Sequence, residues 1–139
     1  MLNKIPKILS PELVKILMEM GHGDEIVIAD GNFPAASIAR NLVRADGHGT
    51  PELLEAILEL FPLDTYAKPV YLMAKVPGDP TPVPIWDTYA EIIKPHTDEK
   101  MEEIERFAFY ERAKKAYAVL ATGESAIYAN IILKKGVVK

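Results

Sequence analysis

The chain has 139 residues, the length of one domain, and 49% of them are hydrophobic. Lysine and arginine number 16 against 20 aspartates and glutamates, and the resulting net charge of −4 argues against a nucleic-acid surface. The absence of cysteine excludes disulfides, thiolate nucleophiles and cysteine-based metal sites. No apolar run is long enough to cross a membrane, and residues 1–6 hold no apolar signal core. We therefore expect one cytoplasmic domain over residues 1–139.

Two segments open in the same way and predict helices. Ser-Pro-Glu-Leu at 10–13 and Thr-Pro-Glu-Leu at 50–53 each offer a hydroxyl N-cap, a proline at the first helical position and an acid in the first turn. Gly21 is expected to end the first helix. Each helix then carries one narrow polar stripe, at Glu12, Lys15 and Glu19 in the first and at Glu52, Glu55 and Glu59 in the second.

The rest of the chain alternates short apolar runs with helical patterns. The nearly unbroken apolar run at 25–30 is typical of a strand buried on both faces. The segment 77–84 is predicted to be a loop because it holds four prolines. Further strands are predicted at 41–44, 70–76, 117–122 and 131–134, with a possible short one at 104–106, and helices at 85–94 and 107–116.

Helices that alternate with buried strands predict an α/β fold, with helices on both faces of a largely parallel sheet. The last two strands are close in sequence, which indicates that part of the sheet is antiparallel.

His22 is the first candidate for chemistry, because glycines on both sides free its backbone and clear space beside the imidazole. An imidazole is suited to exchange protons near neutral pH. The alternative is a structural role, in which His22 bonds a carbonyl at the end of the preceding helix. Asp30 follows a buried strand, where α/β folds place ligands, although it could instead cap the short segment after Pro34.

The other polar candidates have equally open interpretations. His48 is expected in an exposed turn and His96 at the surface, and a zinc site built from all three histidines is disfavoured by their spacing. The sequence has no P-loop and no dinucleotide motif, so we expect no metal and no cofactor. Arg106 could hold sugar hydroxyls, or pair with Glu102 or Glu103 at a helix start. Asn130 is a common type of turn residue.

Several stretches together resemble the ribose pyranase / L-fucose mutarotase family in order and spacing, over essentially the whole chain. Residues 106–113 (RFAFYERA) are similar to the fucose mutarotase branch, since ribose pyranases carry a histidine near the position of Arg106. The other stretches are 17–25 (LMEMGHGDE), 29–34 (ADGNFP), 44–47 (RADG), 61–66 (FPLDTY), 122–124 (TGE) and 128–137 (YANIILKKGV).

The resemblance implies a three-layer α/β/α domain that interconverts the anomers of L-fucose, an isomerase reaction of carbohydrate metabolism that needs no cofactor. It implies that His22 is the proton donor and that the sugar is bound by Asp30, Arg106, Tyr128, Ala129 and Asn130. It also implies a ring of subunits that complete one another's sites. We expect no nucleic-acid or membrane partner.

Two alternatives remain open at this stage. One is a pyranase that interconverts the forms of a pentose, and the other is a sugar-binding protein without catalysis.

Three aromatic residues are expected to be exposed: Phe33, Phe61 and Tyr66. Exposed aromatic side chains would suit an assembly of subunits.

Overall fold

The computed structural model describes all 139 residues, as five helices and six strands. In chain order they are α1 (Pro11–Glu19), β1 (Glu25–Ala29), α2 (Ala35–Ile38), β2 (Leu42–Ala45), α3 (Thr50–Leu58), β3 (Val70–Met73), α4 (Pro84–Ile93), β4 (Glu102–Ile104), α5 (Arg106–Lys115), β5 (Ala118–Thr122) and β6 (Ile131–Lys134). No helix is long and apolar enough to cross a membrane.

The strands form one mixed sheet in the order β2-β5-β1-β6-β3-β4. Five strands run in one direction, and β6 runs antiparallel between β1 and β3. Ile28 pairs with Ile131 and Ile26 with Leu133, so β6 begins where β1 ends. The predicted α/β fold with a largely parallel, partly mixed sheet is confirmed. We call the edge where the five parallel strands finish the carboxyl end of the sheet, and the opposite edge its amino end.

Helices cover both faces of the sheet, which makes three layers. The larger apolar core contains 25 buried residues and lies between one face and helices α1, α3 and α4. The smaller contains 12 and lies under α2 and α5 on the other face. Strands β1, β5 and β6 contribute to both cores, which explains why their sequences are apolar almost throughout.

The two similar helix openings differ in detail. At α1 the Ser10 hydroxyl accepts the Leu13 N–H at 3.1 Å, as predicted. The predicted cap of α3 is wrong, because Gly49 is the N-cap residue and Thr50 is the first residue of the helix. The Glu52 carboxylate accepts the Gly49 N–H at 3.0 Å, so a side chain within the helix replaces the expected hydroxyl.

Two of the three aromatic residues expected at the surface are buried. Phe33 and Phe61 are 8% and 4% exposed, whereas Tyr66 is 73% exposed. Phe33 packs edge-on against Phe109 of α5, with ring centroids 6.0 Å apart. Flanking turn residues made Phe33 and Phe61 look like surface residues, but each closes one of the two cores.

Candidate functional site

The predicted site residues separate into two groups at opposite ends of the sheet. Asp30 follows β1, Asn130 precedes β6 and Arg106 follows β4, so all three lie at the carboxyl end. His22 precedes β1 and lies at the amino end. The Gly23 N–H donates to the carbonyl of Lys135, the residue that follows β6, at 2.8 Å.

Asp30 is a buried carboxyl group, 8% exposed, in the turn that follows β1. Its Oδ1 accepts the Asn32 N–H at 3.0 Å, and its own N–H donates to Asn130 Oδ1 at 2.7 Å. Burial raises the pKa of Asp30, although hydrogen bonds from Asn32, Phe33 and Asn130 oppose the rise. The expected alternative, a cap for the segment after Pro34, is wrong because Pro34 itself is the N-cap residue of α2.

The backbone of Tyr128 and Ala129 is held by side chains of α4. Tyr128 adopts a left-handed conformation with φ 55°, which is uncommon for a residue with a side chain. Its carbonyl accepts the Trp86 indole N–H at 2.7 Å, and the Ala129 carbonyl accepts the Tyr89 hydroxyl at 2.6 Å. These contacts fix the direction of the chain as it enters β6, and with it the position of Asn130.

A half-buried carboxylate, that of Glu124, anchors the preceding turn. Glu124 Oε1 accepts the Thr50 N–H at 3.0 Å and the Thr50 hydroxyl at 3.2 Å, while Oε2 accepts the Ala126 N–H at 3.1 Å. Gly123 passes so close to the Asp46 carbonyl oxygen that a Cβ there would collide with it. The stretch TGE at 122–124 is therefore explained by packing at the carboxyl end of the sheet.

Arg106 is the exposed first residue of α5. Its guanidinium lies over the rings of Phe107 and Tyr110, 5.4 and 5.5 Å from their centroids, and Nε donates to the Tyr110 hydroxyl at 3.3 Å. The alternative of an ion pair with Glu102 or Glu103 is wrong, because neither carboxylate lies within 4.0 Å of it. The stacked guanidinium keeps most of its donors unused.

Tyr128 points its hydroxyl toward the loop after β3. It donates to Asp79 Oδ2 at 2.6 Å, and its oxygen accepts the Val76 N–H at 3.2 Å. The hydrogen bond to Asp79 raises the pKa of Tyr128, while the Val76 N–H and the positive charge of Arg106 oppose the rise. Arg106 is therefore close enough for its charge to act on the Tyr128 phenol.

At the amino end, His22 pairs with Asp64. His22 Nε2 lies 3.1 Å from Asp64 Oδ1, which also accepts the Tyr66 N–H at 3.1 Å. The imidazole is 46% exposed and the carboxylate only 4%. Burial alone would raise the pKa of Asp64, but the Tyr66 N–H and His22 outweigh it, and the pKa is lowered. Asp64 is thus a carboxylate at neutral pH, and it orients a half-exposed imidazole.

The structural alternative for His22 is wrong for a specific reason. His22 was expected to bond a carbonyl at the end of the preceding helix, but its ring bonds Asp64, and Lys135 Nζ donates to the Leu17 and Met20 carbonyls at that helix end. His22 is therefore free to face Asp64 and the Tyr66 ring, whose centroid is 5.3 Å from its own.

Sequence reasoning missed Asp64, because it lies 42 residues from His22 and has no motif spacing to it. The available signal was the family-like stretch FPLDTY at 61–66, in which Asp64 is the only acid.

The other two histidines lie where the sequence placed them. His48 is in an exposed turn, with Nδ1 3.2 Å from Glu52 Oε1, and His96 is exposed after α4. No group of three histidine, cysteine, aspartate or glutamate side chains is arranged to hold a metal ion.

Two cavities bear on where a ligand could sit. One of about 280 Å³ at the carboxyl end is lined by Asp30, Arg44 and Thr122 and by residues 33–37. A larger one of about 1310 Å³ lies between the N-terminal segment and α1, and contains none of the predicted site residues. We favour the carboxyl end, because polar side chains converge there and ligands of α/β folds bind at that edge.

The sequence matches the RbsD / FucU transport protein family over residues 3–138. It is 55% identical to a fucose mutarotase of Danio rerio, covering 99% of this chain and 94% of that protein. The structure matches that of a Streptococcus pneumoniae fucose mutarotase in complex with L-fucose, with TM-score 0.94, 55% identity and coverage of 99% and 100%. It matches Bacillus subtilis RbsD complexed with D-ribose less well, with TM-score 0.75, 25% identity and coverage of 94% and 95%.

Proposed function

The chain belongs to the RbsD / FucU transport protein family, and from this premise we propose that it interconverts the α and β anomers of L-fucose. The observation that carries this function is the match over nearly the whole chain to a fucose mutarotase bound to L-fucose. Identity to the ribose-bound RbsD is less than half as great, which favours the 6-deoxyhexose over the pentose. The reaction is an isomerisation.

The chemistry requires only proton movements. The ring opens when the anomeric hydroxyl loses a proton, the bond between the anomeric carbon and the ring oxygen breaks, and the ring oxygen gains a proton. Rotation of the resulting aldehyde and the reverse steps on its other face give the second anomer. No electrons are exchanged, and a positioned acid and base accelerate such a reaction by about 10²–10⁴.

In this proposal His22 is the proton donor. Its imidazole is half exposed and can reach a bound sugar, while the buried Asp64 carboxylate holds its ring at Nε2. His22 Nδ1 makes no hydrogen bond within the chain, so this nitrogen is available to the substrate.

The sugar is bound at the carboxyl end of the sheet. Asp30 and the amide of Asn130 offer acceptors and donors for hydroxyl groups, and Arg106 offers the forked donors that suit two adjacent hydroxyls. The phenol of Tyr128 and the backbone of Tyr128 and Ala129 lie beside these side chains and complete the proposed sugar-binding group. Because Asp30 and Asn130 are buried, hydrogen bonds to a sugar there are shielded from competing water.

One chain cannot bring the two groups together. His22 and Asp30 are separated by the five residues of β1, which span about 13–16 Å. A site that uses both therefore takes its sugar-binding end from one subunit and His22 from a neighbour. Such a head-to-tail contact joins different surfaces, and it closes into a ring when the rotation between subunits allows. We therefore propose a homo-oligomeric ring, and a cytoplasmic location remains a prediction from the sequence.

Saturation-transfer NMR on L-fucose and D-ribose tests this function. We expect the protein to accelerate exchange between the anomeric proton signals of L-fucose, and to act more weakly on D-ribose. Faster exchange between ribose forms than between fucose anomers would establish the pyranase alternative. Binding of both fucose anomers without any acceleration would establish a sugar-binding protein.

A further inference from the structure

Asp79 belongs to none of the groups so far assigned a role, yet its carboxylate touches a predicted sugar-binding residue. It lies in the proline-rich loop between β3 and α4 and is half buried. Oδ2 accepts the Tyr128 hydroxyl at 2.6 Å, while Oδ1 accepts the N–H and hydroxyl of Thr81 at 2.9 and 2.6 Å. Each carboxylate oxygen thus has its own partner.

A tight turn brings Asp79 to this position. The Asp79 N–H donates to the Val76 carbonyl at 3.0 Å, and Pro77 and Gly78 occupy the two central positions. Gly78 has φ 86°, which the third residue of a type II turn requires and glycine adopts without strain. The same turn therefore delivers both the Val76 N–H and the Asp79 carboxylate to one phenolic oxygen.

The direction of these hydrogen bonds determines what Tyr128 can offer a ligand. Hydrogen bonds from the Thr81 hydroxyl, the Tyr128 hydroxyl and the Thr81 N–H lower the pKa of Asp79 to about 2, so it is an acceptor only. The hydroxyl proton must then stay on Tyr128 and point at Asp79. A phenol has one donor and two acceptor sites, and the Val76 N–H occupies one of the latter. One acceptor site is left.

We propose that Asp79 is a positioning residue, which orients the Tyr128 hydroxyl so that it meets the sugar only as a hydrogen-bond acceptor. A ligand group at this point must donate, so a hydroxyl fits and a carbonyl or ether oxygen does not. Trp86 of α4 donates its indole N–H to the Tyr128 carbonyl. This second contact holds the Tyr128 backbone, so that the phenol stays beside Asp79. This role rests on the proposed function, since it assumes that the bound ligand is a sugar.

The decisive variant is Asp79→Asn, which keeps the size of the side chain but lets it donate to the phenol instead of accepting. We expect the KM for L-fucose anomer exchange to rise about tenfold, because the hydrogen bond from the sugar to Tyr128 is lost, with kcat within about threefold. In a Tyr128→Phe background the same change should have no further effect, because the two residues act as a unit. Asp87→Asn is the matched control: it removes an exposed acid on α4 that has no hydrogen-bond partner, and should leave both constants unchanged.

A second measurement separates orientation from simple loss of structure. The Tyr128 titration is followed by NMR in protein with ¹³C-labelled tyrosine. Asp79→Asn should lower the Tyr128 pKa, because Asp79 is the main cause that raises it, whereas the Val76 N–H and Arg106 lower it. A folded variant with an unchanged Tyr128 titration overturns the proposal, and so does a changed titration with unchanged KM. If Asp79→Asn does not fold, the same measurements are made on Asp79→Ser. If wild-type protein exchanged no fucose anomers, the proposed function would fall, and the titration alone would decide whether Asp79 orients Tyr128.

Discussion

The Asp30 N–H donates to Asn130 Oδ1 at 2.7 Å, although the two residues are 100 positions apart in the chain. The bond fixes the orientation of the amide, because its oxygen is used by the backbone and its NH₂ group must face elsewhere. It exists because β1 and β6 pair in antiparallel register, so the end of one strand meets the start of the other. The carboxyl and amide groups proposed to bind sugar are thus positioned by the centre of the sheet.

The separation of His22 from Asp30 predicts complementation between inactive variants. His22→Ala and Asp30→Asn should each fold and each lose most anomer exchange. When the two are dissociated, mixed in equal amounts and reassembled, about a quarter of the interfaces should combine an intact His22 with an intact Asp30. We expect about that fraction of activity to return in the NMR assay. No recovery in mixed assemblies, confirmed by mass measurement to contain both chains, would contradict a shared site.

The pair of Asp64 and His22 predicts a pH-dependent stability. The folded-state pKa of Asp64 lies below its ordinary value, so the stability from this carboxylate is present above about pH 4 and is lost as the pH falls through the folded pKa. Asp64→Asn should therefore lower the free energy of unfolding by about 1–2 kcal/mol at pH 7 and by much less near pH 3. Urea denaturation at both pH values measures this, and an equal loss at both would exclude the linkage.

The raised pKa of Asp30 predicts a change of stability with pH that is opposite in sign to that of Asp64. The folded-state pKa of Asp30 is raised by burial, so the folded protein gains stability as the pH falls and pays for an ionised buried group at neutral pH. Asp30→Asn can still accept the Asn32 N–H and should raise the free energy of unfolding at pH 7 by up to about 1 kcal/mol, while sugar binding weakens. Thermal unfolding and fucose titration measure the two effects, and Asp98→Asn, at an exposed acid, is the control for charge.

Tyr89 predicts a coupled effect on stability and sugar binding. Its buried hydroxyl contacts both the Thr50 hydroxyl and the Ala129 carbonyl. Tyr89→Phe leaves that carbonyl without a partner, and should cost about 1–3 kcal/mol of unfolding free energy and weaken L-fucose binding through residues 128–130. Tyr117→Phe removes an exposed hydroxyl that bonds Glu19, and should change neither. Full fucose affinity in Tyr89→Phe would separate this network from the site.

Arg106 predicts a change in sugar preference. Arg106→Lys loses the fork of donors and should raise the KM for fucose severalfold. Arg106→His should shift the ratio of exchange rates from L-fucose toward D-ribose. The rates of both sugars in both variants are the measurement, and unchanged rates throughout would place Arg106 outside the site. Arg40→Lys, at another exposed arginine, is the matched control.

Local signals in the sequence located most of the elements but not the partners of the site residues. The helix α2 was not predicted, and the short strand expected at 104–106 lies at Glu102–Ile104. Apolar runs identified β1 and β6, and Ser10 and Pro11 identified the start of α1, because these features act within a few residues. The third helix was capped differently because the Thr50 hydroxyl is taken by Glu124, a residue 74 positions away. Asp64 was missed for the same reason. The hydrogen-bond partner of each hydroxyl or carboxylate depends on which distant strands pair.

The antiparallel strand β6 has a consequence for how the chain reaches this structure. It is the only strand that pairs with both β1 and β3, so without it the sheet is two separate pieces, β2-β5-β1 and β3-β4. These pieces cannot join until residues 131–134 insert between them, and each meanwhile exposes an apolar edge able to pair with other chains. Assembly of the sheet centre is therefore a late, long-range step, and a chain interrupted before residue 131 would aggregate rather than fold.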